Sequence, residues 1–337
     1  MRVPGLWGRL VACSGLVTRS GTGRQPARRL TICPTIILVL ASAFSAHATT
    51  FYITISGLGG EPDYEQRFKM WATDIESSLK KAGGDSHVTT LQNPTRDQVR
   101  KYFGDLVTQA KPNDALVVML VGHGTFDGQD YKFNLQGPDL TAAELAALLD
   151  KVPAQRQLVV NTTSCSGASI EQLHRPNRII IAATKTGTEK NATQFARYWA
   201  EALREPAADT DKNEAVSALE AFRYASQKTK EFFETQKRLE TEHSVIEDTG
   251  KGSGERTATP ENGQGKLANA FSVVRLGANA AAARDPNKRP LLEKKEQIEQ
   301  AIEKLKFNKA AMPAAQYKQQ LTQLLLELAK LQEALDQ

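Results

Sequence analysis

The stretch Leu116-Val117-Val118-Met119-Leu120-Val121-Gly122-His123-Gly124 passes from an unbroken apolar run into a histidine flanked by glycines. A second stretch, Leu158-Val159-Val160-Asn161-Thr162-Thr163-Ser164-Cys165-Ser166-Gly167, does the same and ends in a cysteine among small residues. Short apolar runs closed by glycine and polar residues read as buried strands of a parallel sheet. If the two strands are parallel neighbours, their carboxyl ends open on one edge, where open α/β sheets place their ligands. A thiol becomes an effective nucleophile when a base is at hand, and an imidazole is the usual base. Gly122, Gly124 and Gly167 let a substrate backbone approach and leave N–H groups free for a developing oxyanion.

The rest of the chain supports that sheet. Phe51-Tyr52-Ile53-Thr54-Ile55 reads as the first strand, and residues 64–82 as an amphipathic helix carrying Phe68, Trp71, Ile75 and Leu79. Residues 87–91 form a short second strand, and Thr95 caps a helix with Val99, Phe103 and Val107. Thr141 and Glu144 form a capping box ahead of the next helix, and residues 178–183 give a further strand after the cysteine. Residues 195–203 and 216–239 read as helices, residues 240–266 as a long loop, and Phe271-Ser272-Val273-Val274 as a last strand. Strands alternating with helices predict an α/β fold, a doubly wound, mostly parallel sheet with helices on both faces.

A hydrophobic strand ending in His-Gly, a spacer of several tens of residues and a second strand ending in Cys resemble the pattern of clan CD cysteine peptidases, which include the caspases and the legumain family. Residues 117–124 match the first half, and residues 158–168 the second. The Cys-x-Gly segment is more similar to legumain and its transamidase relatives than to caspases. The resemblance spans roughly residues 50–276 and implies a caspase-like fold with His123 and Cys165 as the catalytic dyad. It also implies an oxyanion site at the N–H groups of Gly124 and Cys165. Legumains carry an Asn-Tyr-Arg-His segment after the first strand. Here Ser56-Gly57-Leu58-Gly59 stands in that region, so legumain's preference for asparagine or aspartate does not carry over.

Residues 1–48 hold six arginines and no acidic residue, with an apolar stretch at 30–44 and Ala46-His47-Ala48 at its end. That order reads as a secretory signal peptide behind an N-terminal extension, and 30–44 is short for a membrane span. Removing it leaves 37 basic against 38 acidic residues, so the formal charge falls from +5 to −1. The basic excess therefore belongs to the export segment, and no argument for nucleic acid or a stable membrane span remains. Cys13 and Cys33 leave with it, which makes Cys165 the only thiol of the exported chain. The expected location is periplasmic or secreted.

After the domain at 49–276, an Ala-rich linker at 277–284 leads to residues 285–337. There Tyr317, Leu321, Leu324, Leu328, Leu331 and Leu335 repeat as an a/d seam. A helical hairpin or short coiled coil is expected, packed on itself, on the main domain or on a second copy.

Other constellations are weaker. Asp209, Asp211, Asn213, Ser217 and Glu220 have the spacing of a calcium loop, but Glu214 stands where its sharp turn wants glycine. Ser217 and Glu220 also make an ordinary capping box, the preferred reading. Gly57-Leu58-Gly59-Gly60 reads as a tight turn rather than a dinucleotide fingerprint. Among the other histidines, His87 and His174 read as surface or hydrogen-bonded residues. His243, in the 240–266 loop, is the strongest competitor for the role of base.

The expected function is an exported cysteine endopeptidase, acting on peptides or proteins through an acyl-enzyme intermediate and needing no cofactor. The alternatives are a transamidase using the same dyad, a noncatalytic caspase-like module whose helical tail recruits a partner, and a nucleotide-binding α/β domain.

Overall fold

The computed structural model describes residues 48–259 and 261–337; the expected signal peptide lies almost wholly outside them. The chain runs β1 (Thr50–Ser56), α1 (Pro62–Lys81), β2 (Ser86–Gln92), α2 (Arg96–Gln109) and β3 (Ala115–Val121), followed by the short strands β4 (Gly124–Phe126), β5 (Tyr131–Phe133) and β6 (Leu140–Thr141). Next come α3 (Ala142–Lys151), β7 (Arg156–Asn161), α4 (Ile170–Leu173), β8 (Arg178–Ala182), α5 (Phe195–Ala202), β9 (Ala215–Ser217) and α6 (Ala218–Thr235). The chain continues through β10 (Val245–Glu247), α7 (Lys266–Asn269), β11 (Ser272–Arg275) and α8 (Gly277–Ala282), and ends in α9 (Arg289–Phe307) and α10 (Ala314–Asp336).

Six strands form the main sheet in the order β10-β8-β7-β3-β1-β2, all parallel except β10 at the edge. This is the α/β sheet expected from the alternation of elements. Period-two alternation divides its side chains between two cores. Val117, Met119 and Val121 pack with Phe68, Trp71 and Trp199 on one face; Leu116, Val118 and Leu120 pack with Phe103, Leu145 and Leu149 on the other. Full burial on both sides explains why β3 is apolar at every position. Each such side chain contributes about 1.5–3 kcal/mol. The Thr95, Thr141 and Ser217 caps form as expected, each completing a capping box three residues on.

Three features differ from the sequence-based expectation. The Gly-rich and Asp-rich connection after His123, where no strand was expected, is a β4–β5–β6 antiparallel meander. Residues 240–266 contain β10, whose Val245 and Ile246 are fully buried, so the segment closes the sheet edge instead of lying free. The last strand, β11, pairs with β9 in a separate two-stranded sheet.

Residues 277–284 are helical over α8, and α9 and α10 form an antiparallel hairpin. The a/d seam faces α9: Leu321, Leu324, Leu328 and Leu331 meet Ile298 and Ile302. A bidentate Arg275–Glu296 pair and the buried Lys295, bonded to Asn279 Oδ1 at 3.2 Å, join α9 to the core. No helix among the described residues is long and apolar enough to cross a membrane.

Candidate active site

Strands β3 and β7 are hydrogen-bonded neighbours with Leu120 opposite Asn161. His123 and Cys165 therefore leave the same carboxyl edge, three and four residues beyond that pair. The Ser164 hydroxyl donates to the Gly124 carbonyl at 3.1 Å and accepts from the Gly124 N–H at 3.4 Å, tying the two strand ends together. Only glycine fits at 124, since a Cβ there would lie 2.5 Å from the Ser164 carbonyl oxygen and Thr163 Oγ1. Gly167 is equally constrained, with a Cβ meeting the Lys185 backbone at 2.3 Å.

His123 is half-buried between two rings, edge-on to Tyr64 at 4.6 Å and to Phe68 at 4.9 Å. Burial holds its imidazole below the usual histidine value; a hydrogen bond to the Gly59 backbone and the nearby Glu61 charge offset this in part. The balance favours the neutral imidazole.

Cys165 is only 1% exposed and has a left-handed backbone, φ 58°. For a residue with a Cβ this stores on the order of 1–2 kcal/mol of strain. Burial pushes its thiol up; Lys190 and a bond to the Phe126 backbone act the other way, and Glu189 adds to the rise. The bonds of the two side chains thus lead apart, His123 to Gly59 and Cys165 to Phe126. Desolvation outweighs the neighbouring cation, so the protonated thiol is favoured.

The Cys165 N–H, expected to be free for an oxyanion, donates to the Glu189 carbonyl at 2.9 Å. The Gly124 N–H makes the long bond to Ser164. Residues 185–191, directly after β8, therefore form a strap over Cys165. Its anchor is the Glu189 carboxylate, which accepts the His243 N–H at 3.0 Å and meets His243 Nδ1 at 2.9 Å. His243 is thus linked to Cys165 through Glu189. His87 stacks on Phe51 at the sheet's opposite end, and His174 bonds the Glu171 carbonyl. The strap escaped sequence reasoning, although its position at the carboxyl end of a strand was a usable signal.

The Asp209, Asp211 and Glu220 carboxylates place oxygens within 4.8 Å of one another. Glu214 takes the left-handed turn that the spacing demanded, at φ 62°. The oxygens, however, are engaged by the loop itself. Asp209 accepts from the Asn213 and Glu214 N–H groups, and Glu220 accepts from Thr210 with one oxygen and from Ser217 with the other. Asn213 Oδ1 accepts from Ala215. Burial and Glu220 push Asp211 up to about 6. The donor set fits a capped turn better than a cation.

Residues 73–255 match the model of the Peptidase C13 family, spanning both strand ends. No curated protein matches the chain. Similar solved structures include the Drosophila initiator caspase Dronc, at 10% identity over 61% of this chain and 81% of that one, TM-score 0.42. Caspase-1 from Spodoptera frugiperda is similar at 13% identity, covering 59% and 85%, TM-score 0.41. Protein GSU0716 from Geobacter sulfurreducens is similar at 15% identity, covering 54% and 89%, TM-score 0.37. With more than half of its length matched, this chain belongs to the Peptidase C13 family, the legumain family of clan CD cysteine peptidases.

Proposed function

We propose that the protein is an exported cysteine endopeptidase in which Cys165 and His123 form the dyad. The observation that carries this is their placement, within the matched family region, at the carboxyl ends of neighbouring parallel strands. The Cys165 sulfur attacks the peptide carbonyl, and its proton passes to the His123 imidazole. The tetrahedral oxyanion is held by the Cys165 and Gly124 N–H groups. Collapse breaks the C–N bond as the imidazolium returns the proton to the leaving amine, and water then hydrolyses the thioester.

For the oxyanion to bind, the Cys165 N–H must exchange the Glu189 carbonyl for the substrate, so the 185–191 strap shifts on binding. Export is the proposal carried by the arginines, apolar stretch and Ala-x-Ala ending of residues 1–48; N-terminal sequencing of native protein is expected to begin at Thr49. An uncleaved chain in a membrane fraction would reject it. The peptidase reading is tested by incubating purified protein with a peptide library, where Cys165-dependent cleavage products are expected. Products unaffected by a thiol alkylator that has modified Cys165 would reject it.

A further inference from the structure

The C-terminal hairpin meets the core across a charged hollow. A cavity of about 290 Å³ is lined by Arg223 of α6, Lys266 of α7 and Glu303, Lys304, Lys306 and Phe307 of α9. The acid in this wall is already engaged: the Glu303 carboxylate accepts from Lys306 at 2.6 Å with one oxygen and from Asn269 Nδ2 at 2.8 Å with the other. Glu261, two residues past Thr259 in the same wall, bonds that threonine. Lys266 lies over the Phe307 ring at 5.2 Å, and none of Arg223, Lys266 and Lys304 has an ion pair among the described residues. Three cations from three helices thus share one hollow without a counter-charge of their own. Residues 49–337 carry a formal charge of −1, so this clustering does not follow from an overall basic excess. Like charges held together repel, and an anion between them removes the repulsion.

The kind of anion follows from charge and shape. Two of the three groups are lysine ammoniums, point charges that suit phosphate and do not need the planar fork by which a carboxylate meets a guanidinium. A phosphomonoester carries about −1.5 to −2 charge at pH 7 and three acceptor oxygens, which matches a trio of cations better than a single carboxylate does. Past Glu303 the wall changes sign. The neighbouring cavity of about 310 Å³ shares Glu303 and Lys306 and is lined by Asp211, Glu220, Glu296 and Glu299. Those carboxylates repel an anion and confine it to the basic hollow.

We propose that the hollow binds a dianionic phosphoryl group, held jointly by Arg223 and Lys266 on the core and Lys304 on the hairpin. The bound group ties α9 to α6 and α7. No residue of this wall lines the cavity beside His123, so the inference stands apart from the dyad assignment.

The test is isothermal titration of the purified protein with inorganic phosphate, glycerol phosphate and acetate, above pH 7 and at constant ionic strength. The phosphates are expected to bind about tenfold more tightly than acetate. Arg223→Gln, Lys266→Gln and Lys304→Gln are each expected to weaken phosphate about fivefold, the upper end for an exposed pair. Phe307→Leu, which keeps every charge, is expected to leave binding within about twofold. Phosphate is also expected to slow amide hydrogen exchange in α9, and Lys304→Gln to abolish that protection. Equal binding of acetate and both phosphates, or binding unchanged in all three Gln variants, overturns the proposal. Phosphate binding that leaves exchange in α9 unchanged overturns the joint hold. Phosphatidylcholine vesicles with and without phosphatidic acid separate the sources of the group: capture by the acidic vesicles that the Gln variants lose assigns it to a lipid, and titration with the soluble phosphates without capture assigns it to a solute.

Discussion

The two strand ends that make the site are built in opposite ways. Beyond β3, His123 stands between the Tyr64 and Phe68 rings with a hollow of about 290 Å³ beside it, so the imidazole is positioned and reachable. Beyond β7, Cys165 is buried and strained, with its N–H taken by Glu189. One sheet edge thus holds a half-buried imidazole beside a cavity and a covered thiol. The difference teaches that, under the proposed mechanism, access to the sulfur depends on the strap whose Glu189 carbonyl holds the Cys165 N–H.

The comparison breaks first at the base. His123→Ala is expected to lower kcat about 10² to 10⁴-fold, the usual worth of general acid–base catalysis, while His243→Ala, which only loosens the strap, stays within about tenfold of the parent. Turnover that survives His123→Ala and collapses in His243→Ala would exchange the two histidines.

The covered nucleophile is tested at the strap. Glu189→Ala removes both bonds to His243, and the rate at which iodoacetamide modifies Cys165 at neutral pH is expected to rise about tenfold, the equivalent of one partly exposed charge-assisted bond. An unchanged rate would mean that the strap is held by its backbone alone.

Titration gives a smaller contrast. The Cys165 thiol is raised, so the folded chain keeps that proton longer than the unfolded chain, and the stability it contributes is lost as pH climbs past the ordinary thiol value of about 8.5. His123 is depressed, so the unfolded chain binds that proton first, and stability is lost as pH falls below about 6.5. Urea midpoints from pH 5 to 10 are expected to show both shoulders. Cys165→Ala should flatten only the alkaline one and His123→Phe only the acid one; a shoulder that persists in its own variant refutes the cause given for it.

The sheet and the placement of His123 and Cys165 at neighbouring strand ends were legible because their signals are local. Uninterrupted apolar runs announce strands buried on both faces, and Thr95, Thr141 and Ser217 announce helix starts through partners three residues away. The β4–β6 meander and β10 were not legible, since strands of two or three residues carry too few side chains to show a period of two. The strap was hidden for another reason. Glu189 meets Cys165 through a backbone carbonyl, which leaves no trace in residue type, and meets His243 across 54 residues of chain. The calcium spacing shows the reverse case: Glu214 does adopt the left-handed turn, yet the carboxylates turn to the loop's own N–H groups.

The central claim, that Cys165 is the nucleophile, is tested most directly by peptide hydrolysis with Cys165→Ala beside the parent protein, both shown folded by circular dichroism. The substitution changes one sulfur atom at a buried strand end, so the fold is expected to persist while the covalent route disappears. Turnover at background in the variant and measurable in the parent is the predicted result. Turnover retained in Cys165→Ala would contradict the account.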